Sequence, residues 1–141
     1  MAYWLFKTEP GAFSWDDQVR AGPKGEEWTG VRNALAQKHM REMKLGDLGF
    51  FYHSVDEKSI VGVVKVVAEI HADSTDASGR WNCVDVAAAG AFPKPVSLTE
   101  IKAEPRLAEM VLVKNSRLSV QPVTAAEWEL VCRMGGYAAA R

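Results

Sequence analysis

The chain has 141 residues, enough for one domain with a core of its own. Apolar residues make up 48% and charged residues 25%, a globular balance that excludes a disordered chain except at the Gly/Ala-rich tail after Met134. The net charge of -1 argues against a protein that follows nucleic acid through many phosphate contacts, although a local basic patch gripping one nucleotide stays compatible with it.

Tyr3 to Lys7 reads as a first strand, closed by Glu9-Pro10-Gly11. Ser14 with Asp17 forms a capping box for a short helix from Trp15 to Arg20. A polar loop from Gly22 to Glu27 follows. The periodicity predicts a helix over Val31 to Met43, with Val31, Leu35, His39 and Met43 on one stripe and Ala36 and Met40 beside it. Leu48 to His53 and Ile60 to Ile70 read as a hairpin joined by the polar Ser54 to Ser59. Trp81 to Ala87 is a further strand, with Trp81, Cys83 and Asp85 on one face. Pro93 and Pro95 bound a connector, and Thr99 is placed to cap a short helix that stops before Pro105. Leu107 to Val113 fits helix or strand. Arg117 to Val123 alternates as a strand, and Thr124 with Glu127 caps a final helix to Met134. Five or six short strands with short helices between them predict an α+β domain with a small curled, barrel-like sheet.

The longest apolar-rich run, Ile60 to Ile70, is interrupted by Lys65 and Glu69 and is too short to span a bilayer. The N-terminus has no charged leader region or cleavage site, so no signal peptide and a cytoplasmic location are expected. Cys83 and Cys132 have no partner at C-x-x-C spacing and read as buried free thiols of a reducing compartment.

No dinucleotide, P-loop or nucleophile-elbow motif is present. His39, His53 and His71 lack Cys or His neighbours at i+3 or i+4, so no metal ligand is assigned. No catalytic residue and no cofactor are expected either. Three segments stand out instead. Trp28 lies in a polar loop, with no periodic reason to be core. Phe50-Phe51-Tyr52-His53-Ser54 ends an apolar strand in two polar groups. Arg117, Ser119 and Gln121 share one face if Leu118 and Val120 take the other.

Taken in order, several runs resemble the EVE domain family: Tyr3-Trp-Leu-Phe-Lys-Thr-Glu-Pro10, Trp28-Thr-Gly-Val-Arg-Asn33, Met43-Lys-Leu-Gly-Asp47, Phe50-Phe-Tyr-His-Ser54, Ile60-Val-Gly62, Arg80-Trp81 and Arg117-Leu-Ser-Val-Gln-Pro-Val-Thr124. The resemblance covers nearly the whole chain and implies one EVE domain over residues 1–141. It also implies a PUA-like fold, a small mixed β-barrel of five to six strands surrounded by short helices, with kinship to YTH domains.

The implied function is non-catalytic recognition of a flipped-out modified nucleobase, modified cytosine in DNA or a modified base in RNA. A reader of this kind sandwiches the base on an aromatic face and bonds its edge. Trp28 would supply the face. Asn33, Ser54, Ser119 and Gln121 would bond the edge, with His53 as donor or acceptor. Arg117, Lys7, Arg32 and Lys38 would meet flanking phosphates. Ala34, Val55 and the short Asp73-to-Gly79 loop depart from the family pattern, leaving the wall opposite Trp28 to Trp81 or Tyr52, or to a looser hold. The alternative is a small-molecule or nucleotide-binding domain that never touches polymer, and an acidic pocket rim would favour it.

Overall fold

A computed structural model describes residues 1–55 and 57–138. Asp56, in the connection between the third and fourth strands, and the last three residues of the Gly/Ala tail lie outside the described residues. Six strands form one mixed sheet: β1 (Tyr3–Thr8), β2 (Glu26–Glu27), β3 (Leu48–His53), β4 (Ser59–Ala72), β5 (Asn82–Ser97) and β6 (Val120–Val123). Five α-helices accompany it: α1 (Trp15–Arg20), α2 (Ala34–Glu42), α3 (Leu98–Ala103), α4 (Val111–Lys114) and α5 (Ala125–Met134). The strand order is β2-β5-β4-β3-β1-β6, so the sheet is an open order with β2 and β6 at its ends and not a closed ring of strands. β1 runs parallel to β3 and antiparallel to β6; the other neighbours are antiparallel.

Alternation along the central strands sends side chains to two separate cores. On β1, Leu5 joins one core while Trp4 and Phe6 join the other. On β3, Phe50 and Tyr52 join the first and Phe51 the second. The first core is closed by α5, α3 and the segment around Leu107 and Met110, and the second by α2 and the Trp28 loop. Each fully buried side chain of this size stabilises the fold by about 1.5–3 kcal/mol. Register shifts between β4 and β5 mark bulges, which bend a strand and increase its twist.

Capping boxes at Ser14/Asp17 and Thr124/Glu127 stand where the sequence places them. Several other expectations are corrected. α2 begins at Ala34, because Asn33 caps it by accepting from the Ala36 N–H at 2.9 Å. Its buried residues are Ala36, Gln37 and Met40, whereas Leu35 is 43% exposed. Of the expected stripe, Leu35 faces solvent and His39 is half-buried, while Val31 and Met43 are buried just beyond the two ends of the helix. Pro93 and Pro95 lie inside the 16-residue β5 instead of a connector. The cap of α3 is Ser97, with Glu100 completing its box, and not Thr99. The ambiguous segment resolves into a 3-10 turn at Pro105–Leu107 and α4. Arg117 sits in a turn and the final strand starts only at Val120.

The supposed loop before Trp28 contains β2, paired as Glu26 with Val86 and Glu27 with Asp85. Gly25 enables that approach: its φ is +81°, and a Cβ there would stand 2.6 Å from the Val86 carbonyl oxygen. The tail after Met134 is ordered at its start, where Tyr137 stacks on Phe92 at 5.5 Å. Cys83 and Cys132 are free and buried. Among the described residues, no helix is long and apolar enough to cross a membrane.

Candidate functional site

Trp28 leaves β2 with its backbone N–H on the Val84 carbonyl at 2.8 Å. Its ring is 6% exposed and sits among Phe6, Phe13 and Phe51 at centroid distances of 5.2, 6.0 and 5.7 Å. The planes are steeply inclined to it, at 66°, 87° and 84°. Trp28 is thus a core residue, contrary to what its loop position implies, and it also borders a cavity of about 250 Å³. Lys7, Thr8 and Phe13 face it from one side, and Glu26, Glu27 and Thr29 from the other. The half-buried Phe13 is the second aromatic group of this cavity.

Lys7 joins this cavity from the penultimate position of β1, one residue before its end at Thr8 and beside the turn after α4. Its backbone N–H donates to the Ser119 carbonyl at 2.9 Å, and its ammonium donates to the Ser116 carbonyl. Burial lowers the Lys7 pKa, and the nearby Lys58 charge lowers it further. Glu26 and Glu27 line the cavity as well, with Glu27 Oε1 accepting from the Ser74 N–H at 3.1 Å, so the lining carries both signs, two acidic residues to one basic.

The other expected residues do not line this cavity. Tyr52 is 2% exposed and belongs to the opposite core, so it cannot wall a base beside Trp28. Gln121 is completely buried; its amide donates to the Leu118 and Asn115 carbonyls at 2.8 and 3.3 Å, tying down the turn before β6. Arg117 is exposed on that turn, and Ser119 is half-buried. Gln121 therefore shares no open face with them, because both faces of the sheet are covered here. Asn33 spends its side-chain oxygen on the helix cap. Lys38 is exposed on α2. Arg32 bonds the buried Asp73 carboxylate at 3.1 Å and lies 5.8 Å from the centre of the Trp81 ring. Trp81 is thus engaged with Arg32, and also with Arg80 at 5.0 Å.

His53 is 8% exposed and both ring nitrogens are engaged. Nε2 accepts from the Trp15 N–H at 3.0 Å, which assigns the ring proton to Nδ1, facing Glu57 at 3.1 Å. Ser54 donates its backbone N–H to the Thr8 carbonyl at 2.8 Å. Just beyond it, Val55 has φ of +73°, a costly conformation for a β-branched residue and one that collects at functional sites.

Asp73 organises the loop behind Trp28. Burial alone would raise its pKa, but bonds from the Thr75 hydroxyl, the Gly30 and Thr75 N–H groups and Arg32 hold it down to about 2. Beside this loop lies a cluster that spacing rules did not find. His71 Nε2 is 2.7 Å from Asp85 Oδ1 and 3.8 Å from Cys83 Sγ, which in turn lies 3.7 Å from Glu27 Oε1. Burial pushes the Cys83 thiol up to about 12, and the charges of Glu27, Asp73 and Asp85 act the same way. The bond to Asp85 raises the His71 pKa. The signal was present in the shared face of Cys83 and Asp85. What was missing was the cross-strand register that sets His71 opposite Cys83.

The model of the EVE domain family matches residues 2–134. Thymocyte nuclear protein 1 of chicken is 35% identical over 92% of the chain, which spans 66% of that protein's length. The human protein of the same name is 33% identical, with 92% of this chain and 72% of its own length covered. A crystal structure of an Agrobacterium tumefaciens protein has 54% identity and a TM-score of 0.95, covering 99% of this chain and 96% of that one. Human THYN1, crystallised with DNA containing 5-methylcytosine, is 34% identical with a TM-score of 0.88, covering 96% and 98% of the two chains. A YTH domain of Zygosaccharomyces rouxii shares the fold at 17% identity and a TM-score of 0.59. The mixed six-stranded sheet with its flanking helices is thus the α+β, PUA-like architecture of these proteins, and the chain belongs to the EVE domain family.

Proposed function

We propose that this EVE domain, taken as one unit over residues 1–141, is a non-catalytic reader of a modified base in nucleic acid, with 5-methylcytosine in DNA as its first substrate class. The observation that carries this reading is the human relative at 34% identity and TM-score 0.88, solved with DNA bearing that base. The Trp28 cavity supports it. At about 250 Å³ it is smaller than the roughly 300–1,000 Å³ pockets of drug-sized ligands, a size suited to one base. No ring lies parallel to Trp28 among the described residues, so a base stacked on Trp28 or Phe13 would be its first parallel partner. Base-aromatic stacking contributes about 1–3 kcal/mol. A carboxylate is the natural acceptor for the exocyclic amine of cytosine, and Glu26, in the lining of the cavity, would supply it. Phosphates would then pass on the side of Lys7, with Arg117, Arg32 and Lys38 further out. Asn33, Ser54, Ser119, Gln121, Tyr52 and His53 support the site's framework in this reading and leave the base edge to the cavity's own groups. A reducing, cytoplasmic setting is part of the proposal, in keeping with two free thiols.

The acid at the rim favours one second reading, a free nucleoside or small molecule taken without polymer. Fluorescence binding to short single- and double-stranded oligonucleotides, with cytosine or 5-methylcytosine, at two salt concentrations separates them. The reader should prefer the methylated oligonucleotide, lose affinity as salt rises, and weaken about tenfold or more in Phe13→Ala. Equal binding of methylated and unmethylated oligonucleotides would sink the reading. Binding of the free nucleoside alone would favour the second.

A further inference from the structure

Glu27, His71, Cys83 and Asp85 come from three adjacent strands. Cys83 and Asp85 are two residues apart on β5 and share one face. His71 is the register partner of Cys83, and Glu27 that of Asp85. The ligating atoms of His71, Cys83 and Asp85 lie within 4.8 Å of one another. We propose that these four side chains form a binding site for a zinc-class divalent cation, centred outside the Trp28 cavity and sharing only Glu27 with its wall.

Three features point to a cation of this kind. First, donors around a tetrahedral zinc ion with bonds of about 2.0–2.3 Å stand roughly 3.3–3.7 Å apart. The Cys83–His71 and Cys83–Glu27 separations of 3.8 and 3.7 Å are close to that geometry. The 2.7 Å His71–Asp85 contact has to open, and Glu27, outside the three whose ligating atoms lie within 4.8 Å of one another, has to swing in. Second, His71 Nδ1 lies 3.1 Å from the Ala72 carbonyl. A zinc-binding histidine is usually held by just such a carbonyl, which keeps the proton on one nitrogen and presents the other to the metal. Third, sulfur and imidazole beside two carboxylates select zinc over magnesium or calcium, which take oxygen alone. A second cavity, of about 340 Å³, is lined by Glu27, Asp85, Ser74 and Thr75 and gives a route in.

On binding, the cation replaces the proton of the Cys83 thiol and the proton between His71 Nε2 and Asp85, and both are released to solvent. With Glu27 drawn in as the fourth donor, the tetrahedral shell has no open position, so the site is structural and not hydrolytic. It clamps β2 to the β4–β5 hairpin. It also fixes Glu27, which borders both cavities.

The test uses the whole chain, stripped with a chelator and titrated with zinc chloride by calorimetry, then with cobalt(II) as a spectroscopic probe. Binding of one zinc per chain is expected, with a rise in Tm and a sulfur-to-cobalt charge-transfer band in the near ultraviolet. His71→Ala, at a side chain that is 37% exposed, should fold normally, bind zinc at least about tenfold more weakly and lose the rise in Tm. Cys83→Ser should lose the sulfur band; should this buried substitution unfold the chain, His71→Ala decides alone. No one-to-one binding in the wild type, no sulfur band, or His71→Ala binding as the wild type does would each overturn the proposal.

Discussion

Two buried tryptophans in this molecule are packed in opposite ways. Trp128, on α5, is sandwiched in stacks: Phe50 lies 4.0 Å away at 13° and Tyr3 4.5 Å away at 16°. Trp28 has only steeply inclined neighbours and a cavity at its side. Parallel partners from the protein itself satisfy Trp128, so its region serves stability. Trp28 keeps its place through edge contacts and a backbone bond, and parallel partnership is left for a ligand. Burial alone does not separate the two roles; ring geometry does.

The largest effect is expected from breaking the stacked side. Trp128→Ala should cost about 3–5 kcal/mol in urea unfolding, while the molecules that stay folded keep their base preference. A substantial loss of preference in that folded fraction would show that the two regions are not separable. On the Trp28 side, Gly62→Ala places a Cβ 2.5 Å from the Trp15 ring, itself packed on Phe51. Overpacking of that kind costs about 1–3 kcal/mol, and here it should weaken oligonucleotide binding as well.

Acid provides a milder probe of the loop behind Trp28. The folded Asp73 carboxyl titrates at about 2, below its ordinary value of 3.8. Its contribution is therefore full above pH 4 and is lost as pH falls from 4 towards 2, an effect of about 2 kcal/mol. Asp73→Asn should flatten that part of the stability-against-pH curve; an unchanged curve would mean the carboxylate is not held as described. The smallest change, Trp28→Phe, keeps an aromatic core residue and shrinks the stacking face. It should reduce affinity for the methylated oligonucleotide by about tenfold, near 1.4 kcal/mol, with the helix and strand signals of circular dichroism unchanged.

Local order was legible from residue order alone wherever the signal was itself local. The capping boxes at Ser14 and Thr124, the apolar β3 and the valine-rich β4 are short-range patterns, read without knowing what packs on them. The family was legible too, because its runs are contiguous in sequence. Tertiary structure decided the rest. Which face of α2 is buried, that Gln121 turns inward and Arg117 outward, and that Pro93 and Pro95 belong to a strand all depend on neighbours far along the chain. So do the meeting of Trp28 with Lys7 and Phe13, and that of His71 with Cys83: both arise from pairing registers, and a register joins residues that no local spacing connects.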